Sequence, residues 1–333
     1  MQNTDELLSV STPTNGGSFI STELRNNTLT VASSTPRTDA PQWAIDITLS
    51  HSPNSDISWA DFSERGLIDR LSSTTAGALV VSPNGDYVSI AMQVEPKQQS
   101  ESEPLDRSRR ADAARQRRGY VIVLDAKTGK TVLTREVSGF ILAQALTNDH
   151  LAVETAEAYF PAGAGKGTIT TLPLNDPSSP TTIATDQWLV GAGQRSLLLS
   201  PQPLYFEMCD NPCGPFILTR MGTDGTALGT ITHADRVYRG GWVQRHKDSI
   251  PDGEARAYSA PAGTEVVGVD TGAVVDISGG SADERGVPTG PGLLISQTST
   301  DENGNSVSTP VFWLSAADDG HPHTENLEQF SNK

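Results

Sequence analysis

The chain has 333 residues, of which 40 are acidic and 24 are basic, and its formal net charge is −16. An acidic surface of this kind repels nucleic acids and anionic membranes, so we exclude DNA or RNA as the main partner. The longest apolar stretches have about the length of a strand, far short of the roughly 20 residues that a membrane-spanning helix needs. We therefore expect no direct membrane insertion of this segment.

The first ten residues are polar and acidic, without the basic and apolar regions of a secretory signal peptide. Ser, Thr, Asn and Gly are abundant and Lys is scarce, a composition that favours a location outside the cytoplasm. We predict a secreted or cell-surface protein whose signal or anchor is missing from the sequence given. A cytosolic protein is the alternative.

Turn signals recur at nearly equal distances along most of the chain. One residue from each signal gives intervals of 47, 49, 47 and 48 residues: Gly129, Asp176, Gly225, Gly272 and Gly320. A fixed period in this range, with short apolar runs between the turns, is typical of radial β-repeats. The sequence therefore predicts an all-β fold, a β-propeller.

The runs between the turns have the length and composition of strands. The clearest unit contains four of them: 78–81, 87–92, 120–125 and 131–134. Asn84 and Gly85 separate the first two, and Asn-Gly is a strong hairpin signal because both central residues of a type I′ turn need positive φ. Each unit thus fits a blade of four antiparallel strands.

A first unit fits the runs 28–32 and 43–47, with its turn near 52–54. The distance from there to Gly129 is too long for one period until the charged stretch 95–118 is set aside as an insertion. Six turns then predict a six-bladed propeller. A seventh blade shared between the termini is the alternative.

We assign residues 19–333 to a single propeller domain. The segment 1–18 precedes it and contains a possible ring-closing strand. Pairing of that strand with the C-terminal segment would join the first blade to the last and hide sheet edges.

The insertion 95–118 differs from the rest of the chain in its charge. It holds six arginines: Arg107, Arg109, Arg110, Arg115, Arg117 and Arg118. Its few apolar residues fit either a short solvated helix over 108–118 or a disordered loop. A basic projection on an acidic body could dock an anionic partner, and a solvated loop without a binding role is the alternative.

The two cysteines, Cys209 and Cys213, flank an Asn-Pro turn signal. If the segments on either side pair as strands, the two Cβ atoms come close enough for a disulfide, which would indicate an oxidising compartment. Free thiols are the alternative. A zinc site would need two more soft ligands, and the chain has no further cysteine.

The segment 119–133 resembles a blade of the PQQ-like, or quinoprotein-like, β-propellers. Those blades read as a strand, then Leu-Asp-Ala-x-Thr-Gly, then a strand ending in Trp, and here Leu133 stands in place of the Trp. The run 267–272 resembles the same blade more weakly. The run 82–87 looks like the Ser-Pro-Asp-Gly turn of TolB-like and WD40-like blades. The resemblance implies a propeller fold and implies no activity, because many scaffold propellers carry the same blade.

A quinone-dependent enzyme of that family would need a stacking Trp, a Ca²⁺ site and a catalytic Asp. The five tryptophans occupy no common position in the repeat: Trp43, Trp59, Trp188, Trp242 and Trp313. We therefore predict no cofactor and no catalytic residue from the sequence.

Three short patterns imitate ligand sites. The glycine-rich run 162–168 lacks the Ser or Thr that follows the lysine of a phosphate loop, and 301–305 has a misplaced glycine for a calcium loop. His321 and His323 could bind a metal with a nearby aspartate, and an exposed tail is the alternative.

Our interpretation is a non-catalytic, extracytoplasmic binding or scaffolding propeller. It would be the ectodomain of an envelope-anchored protein that contacts another protein or a cell-envelope component. The alternative is a quinone- or metal-dependent enzyme, an oxidoreductase or hydrolase, that uses the central channel, and a small-ligand sensor is a third hypothesis. An enzyme should bring carboxylates, His or Arg together at the channel.

Overall fold

The structure is a computed structural model, and we describe these residues of it: 12–25, 28–36, 40–49, 55–59, 75–96, 117–156, 167–200, 216–248, 263–318 and 320–330. In these ranges the chain forms 23 β-strands, two short 3-10 helices (Asn15–Gly17 and Leu327–Phe330) and no α-helix. None of these elements is a helix long and apolar enough to cross a bilayer. The predicted all-β fold is confirmed.

The strands form five sheets in which every pair is antiparallel and neighbours follow chain order, except that two short strands share one position in the second sheet. The first sheet contains β1 (Thr12–Pro13), β2 (Phe19–Arg25), β3 (Thr28–Ser34) and β4 (Trp43–Thr48). The second contains β5 (Ser55–Trp59), β6 (Leu79–Val81), β7 (Tyr87–Pro96), β8 (Arg118–Asp125) and β9 (Thr131–Ser138). The third contains β10 (Phe140–Leu146), β11 (His150–Ala156), β12 (Thr168–Pro173) and β13 (Thr181–Ala184).

The fourth sheet has seven strands and the fifth has three. The fourth contains β14 (Trp188–Ala192), β15 (Ser196–Ser200), β16 (Phe216–Gly222), β17 (Ala227–Tyr238), β18 (Trp242–Arg245), β19 (Glu265–Gly268) and β20 (Val274–Asp276). The fifth contains β21 (Gly280–Val287), β22 (Gly290–Thr300) and β23 (Ser306–Ser315).

The fourth sheet has seven strands because β17 pairs with the strands of two successive units. Its first part pairs with β16, and its last part pairs with β18. His233, where the partner changes, has a φ of 57°, a left-handed conformation that non-glycine residues seldom adopt. The strand is therefore continuous in sequence but acts as the last strand of one unit and the first strand of the next.

The first strands of successive units contact one another around a common axis. β1 contacts β6, β6 contacts β10, β10 contacts β14, and β14 contacts β17. β17 is joined to β21 by the Tyr238 hydroxyl, 3.1 Å from the Ala282 carbonyl oxygen, and β21 contacts the 3-10 helix Asn15–Gly17 beside β1. The contacts return to the first sheet, which is the radial arrangement of a β-propeller.

The strand ends lie on two faces of the molecule. On the turn face, short turns join the first strand of a unit to the second and the third to the fourth. On the opposite face, which we call the loop face, the second strand leads to the third through connections that lie largely outside the described residues: 97–116, 157–166, 201–215 and 249–262. These four connections thus begin and end on one face, where recognition loops are expected.

The periodic turn signals of the sequence correspond to one structural position. Gly129, Asp176, Gly225 and Gly272 all lie between the third and fourth strands of their units. The three glycines have φ values of 71°, 88° and 68°, which glycine adopts without a steric penalty. The predicted period is therefore the repeat of one turn type on the turn face.

The first unit differs from its prediction. Residues 52–54, assigned to its turn, lie outside the described residues, and the equivalent connection joins β3 to β4, where Ser33 pairs with Trp43. Within the predicted N-terminal segment 1–18, β1 pairs with β2 through Thr12 and Ile20. The ring-closing strand and the domain bounds stay predictions.

The core lies between neighbouring sheets. The first sheet contributes one face to it, with Leu29 and Val31 of β3, whereas the second sheet is buried on both faces. In β8, Ile122 and Leu124 pack against the first sheet, while Val121 and Val123 pack against the third, and all four are fully buried. Successive side chains of a strand point to opposite faces, so a strand buried on both sides needs a continuous apolar run. This is why the sequence shows short apolar runs instead of alternation.

The last sheet is completed by the end of the described chain. Trp313 of β23 forms an isolated antiparallel bridge with His323, with backbone hydrogen bonds of 2.8 and 2.9 Å. Leu327 and Phe330 pack against the buried cluster that contains Trp313. The segment 320–330 therefore covers the outer edge of β23.

Turns that join first and second strands contact one another on the turn face. The backbone N–H of Asn84 donates to the side-chain oxygen of Asn148 (3.1 Å), and the N–H of Asn148 donates to the Gln194 carbonyl (2.9 Å). A Cβ at Gly240 would lie only 2.8 Å from the Pro291 carbonyl oxygen. These turns pack so closely that some positions have no room for a side chain.

We predict that Gly85→Ala destabilises the protein much more than Gly304→Ala. Both glycines have positive φ (77° and 83°), so each substitution carries roughly 1–2 kcal/mol of backbone strain. A Cβ at Gly85 would also collide with the Asn15 amide nitrogen and lie 2.7 Å from Pro291 Cδ, whereas Gly304 has nothing within 4 Å. Urea unfolding should show an additional loss of about 1–3 kcal/mol for Gly85→Ala, and equal losses would contradict the packed ring of turns.

Candidate functional site

Charged residues of the innermost strands are concentrated on one side of the ring. β1, β6, β10 and β14 carry none, and β5, which lies end to end with β6 against β7, carries only Asp56. The neighbouring strands β17 and β21 together carry five, and a sixth follows β17 directly. We call this set the charged arc: Asp235, Arg236, Arg239, Asp283, Glu284 and Arg285. The arc holds three carboxylates and three guanidinium groups.

The arc is partly open to solvent and partly fixed by contacts. Arg236, Asp283 and Arg285 are exposed, while the other three residues are half-buried. The backbone N–H of Arg239 donates to a Glu284 carboxylate oxygen at 2.6 Å. Burial lowers the pKa of Arg239, and the charge of Glu284 partly opposes this shift. One end of the arc is thus held between two strands, and the exposed groups remain accessible.

Tyr238 forms the buried support beneath the arc. Its side chain is 2% exposed, and its hydroxyl lies 2.6 Å from Gln244 Oε1 and 3.1 Å from the Ala282 carbonyl oxygen. Burial raises the pKa of Tyr238 to about 12, with Arg236 opposing the shift and nearby carboxylates adding to it. The Arg236 guanidinium carbon lies 5.2 Å from the centre of the Tyr238 ring, a cation–π distance.

Two histidines lie at the loop-face end of the arc. The backbone N–H of His246 donates to the His233 carbonyl at 3.0 Å, and the Asp235 carboxylate accepts from the Gly263 N–H at 3.2 Å. Burial lowers the pKa of His246; His233 adds to this shift and Asp235 opposes it. A neutral imidazole near a carboxylate can accept a proton, which is the basic element of general acid–base chemistry.

The structure places His323, a predicted metal ligand, in a different role. Its ring stacks on the Trp313 indole at 4.1 Å, and its Nε2 lies 2.7 Å from Asp318 Oδ1. Asp319 lies outside the described residues. Across the described part of the chain, no group of three or more His, Cys, Asp or Glu side chains could hold a metal ion.

Only two arginines of the predicted partner-binding loop, Arg117 and Arg118, are described. The Arg117 guanidinium lies 4.3 Å from the centre of the Phe140 ring, and Arg118 pairs with Glu136 at 2.9 Å. Arg118 begins β8, so the candidate helix over 108–118 does not extend to this residue. A partner-binding role of the loop stays a prediction.

The remaining predicted site residues lie outside the described part of the chain. These are Arg107, Arg109, Arg110 and Arg115 of the basic loop, and Cys209 and Cys213 of the predicted disulfide. The disulfide therefore also stays a prediction.

The sequence analysis missed the charged arc because both strands that carry it are polar. Neither β21 nor the last part of β17 has the apolar run by which the other strands were recognised. A signal was nevertheless present: Ala234-Asp235 and Ala282-Asp283 are separated by 48 residues, the period of the turns. Aligning the repeats on the turns would have placed both pairs at the same position.

No protein-family model and no curated protein sequence matches the chain. Among solved structures, the acylaminoacyl peptidase of Pyrococcus horikoshii matches with a TM-score of 0.50 at 10% identity, over 93% of this chain and 45% of that one. An oligogalacturonate lyase of Vibrio parahaemolyticus matches with a TM-score of 0.40 at 9% identity, over 91% and 79%. The β-propeller domain of the trilobed protease of Pyrococcus furiosus gives 0.37 at 12% identity, over 97% and 99%.

The likeness to the acylaminoacyl peptidase is one of fold alone. The chain spans about half the length of the acylaminoacyl peptidase. No family model and no curated sequence connects the chain with the PQQ-like family, so that resemblance stays a prediction. The interpretation as a non-catalytic scaffold is contradicted by the fold match to the acylaminoacyl peptidase, which is an enzyme.

We predict that Tyr238→Phe flattens the loss of stability at alkaline pH. Because the pKa of Tyr238 is raised from 10.0 to about 12, the unfolded chain loses this proton first, and the free energy of unfolding falls as the pH rises through that window. This group alone contributes a slope of up to about 1.4 kcal/mol per pH unit. Urea unfolding between pH 9 and 11, compared with the parent, measures it, and identical slopes would show that the hydroxyl is not buried as described.

Proposed function

We propose that this chain is the β-propeller of an enzyme of hydrolase or lyase type and that the charged arc binds its substrate. The observation that carries the proposal is the concentration of five charged residues on two adjacent innermost strands, with Arg239 directly after one of them, whereas the other innermost strands together carry only Asp56. Charged groups contribute little to a core and are costly to desolvate. Their concentration beside the channel therefore favours a ligand-binding role over a structural one.

The mixture of signs within the arc suits a polar ligand that must be held in one orientation. Arg236 and Asp283 are exposed on neighbouring strands, so a ligand could meet a cation and an anion at once. A few convergent polar groups in an otherwise apolar site are the usual means of fixing a small molecule. Asp235, beside His246 at the loop-face end, adds a candidate for proton transfer near the bound ligand.

The comparisons support the enzyme class and not a particular reaction. The structural neighbours include a peptidase and a lyase, and this agrees with the alternative hypothesis of an enzyme that uses the central channel. The likeness is one of fold, at about 10% identity. The substrate is therefore left to experiment.

We further infer that the propeller has six blades. β17 contributes its first part to one unit and its last part to the next, so the seven-stranded sheet counts as two blades. The cycle of first-strand contacts then has six members, and the segment that ends at His323 supplies the fourth edge of the last blade. These observations favour six blades over seven.

An extracytoplasmic location is a separate proposal, and it rests on composition and on the cysteine pair. Under non-reducing conditions, a Cys209–Cys213 disulfide would leave no thiol to alkylate. Intact-mass measurement with and without reduction tests this, and alkylation of both cysteines in the unreduced protein would count against it.

The substrate-binding proposal predicts that Arg236→Gln, Arg285→Gln and Asp283→Asn each lower kcat/KM about tenfold or more. Each change removes a charged hydrogen-bonding group worth roughly 1.5–3 kcal/mol. Turnover is measured with acylated peptides, free peptides and acidic oligosaccharides, and binding is followed by calorimetry for compounds that are not turned over. Because all three residues are exposed, melting temperatures should change little.

Arg135→Gln is the matched control, since Arg135 is also an exposed arginine but lies on the outer strand β9. It should leave turnover and binding unchanged. A substrate whose turnover is equally insensitive to the arc and the control variants would place the site elsewhere.

A further inference from the structure

The innermost strand of the second sheet is interrupted, but its two parts pair with β7 in the same register. β5 and β6 lie end to end against β7, with Trp59 opposite Met92 and Leu79 opposite Ile90. Between them, the N–H of Ala91 donates to the Ala78 carbonyl at 2.8 Å. Trp59 and Ala78 thus occupy successive positions of one strand, although residues 60–77 lie between them in the sequence.

The described end of this insertion leaves the second sheet and crosses the innermost strands of the next two. The side-chain amide of Gln144, on β10, donates to the carbonyls of Gly77 (3.0 Å) and Ala78 (2.8 Å). The Thr75 hydroxyl donates to the Val190 carbonyl, on β14, at 2.8 Å. Residues 75–78 therefore run across the channel side of β10 and reach β14.

Small residues on these strands make room for the segment. Ala76 is 1% exposed and belongs to a buried cluster with Ala143 and Ala192. A Cβ at Gly191 would lie 3.1 Å from the Thr75 hydroxyl and 3.0 Å from a methyl group of Val237, on β17. The segment thus extends from the second sheet to β14, where Gly191 lies between Thr75 and Val237 of β17.

Gln144 holds the segment in place by hydrogen bonds. It is fully buried, and its Oε1 accepts a hydrogen bond of 2.7 Å from the Ser89 hydroxyl, on β7. Its amide nitrogen supplies the two bonds to the segment, so the side chain joins β7, β10 and the insertion. A buried amide that loses such partners pays a large desolvation penalty, and this keeps the segment in place.

We propose that Thr75–Ala78 is a built-in plug of the central channel, held by Gln144 and Thr75. The plug fills the space beside β10 and β14 and obstructs passage between the turn face and the loop face on that side. In the described part of the chain, no segment covers the exposed groups of Arg236, Asp283 and Arg285 on β17 and β21. This proposal goes beyond the proposed function, because it holds whether or not the arc binds a substrate.

The first test uses a cysteine in the plug as a reporter of burial. In a Cys209→Ser/Cys213→Ser background, Ala76→Cys places one thiol in the plug. We expect a small maleimide to label the folded protein at least about 100-fold more slowly than the urea-unfolded chain, because only local opening exposes the thiol. Labelling at the unfolded rate under native conditions would overturn the proposal.

Release of the plug is tested by Gln144→Leu in the same background. The change removes both bonds to the segment, and labelling of the Ala76→Cys thiol should accelerate about tenfold or more. Gln244→Leu is the matched control, since Gln244 is also a buried glutamine whose amide donates to a backbone carbonyl, that of Gly263 at 2.7 Å. Equal acceleration by both changes would indicate general destabilisation and would contradict a specific role of Gln144.

Deletion of residues 60–77 tests the plug directly. Trp59 and Ala78 then become neighbours in the register that they already occupy, so the sheet should still form. A cysteine at Ala143, fully buried in the parent, should become accessible to maleimide once the plug is absent. Continued protection of that thiol in the folded deletion variant would contradict the proposal. If the deletion variant does not fold, the labelling rate of the Ala76→Cys thiol is the test of the proposal.

Discussion

The structure depends on burying the apolar faces of neighbouring sheets against each other. The central strand β8 shows the constraint in its simplest form, because its four consecutive apolar residues serve two different interfaces in alternation. A sheet buried on both sides cannot stand alone, so each such sheet needs a neighbour on either side. The short turns meet on one face, and the long connections between second and third strands begin and end on the other. The insertion 60–77 is the exception, because it interrupts an innermost strand.

Charged residues on the innermost strands are the exception to this apolar packing. Among the innermost strands, β1, β6, β10 and β14 are uncharged and β5 carries one acidic residue, Asp56. β17 and β21 carry five charged residues between them. Tyr238 beneath them is held by two polar neighbours and kept in its neutral form by burial, so the charged groups rest on a rigid support.

The plug and the charged arc divide the channel between them. On one side, small residues of β10 and β14 admit a segment of the chain itself, fixed by Gln144. On the other side, no described segment covers the charged groups of Arg236, Asp283 and Arg285, which are exposed. A channel with one filled side and one polar, open side is a suitable place for a single small ligand, and it is less suited to the broad surface contacts expected of a scaffold.

The all-β class and the period can be read from the residues alone, because the glycine-containing turns and the apolar runs are local features. The charged stretch 95–118 is equally visible there, since charge composition needs no tertiary information. Which strands are innermost depends on the three-dimensional structure, and so does the finding that Asp235 and Asp283, one period apart, lie on neighbouring strands. The interruption of a strand by 60–77 is also seen only in three dimensions, because Trp59 and Ala78 become neighbours through their shared partner β7. Such relations depend on contacts between distant parts of the chain, and no local pattern of residue types encodes them.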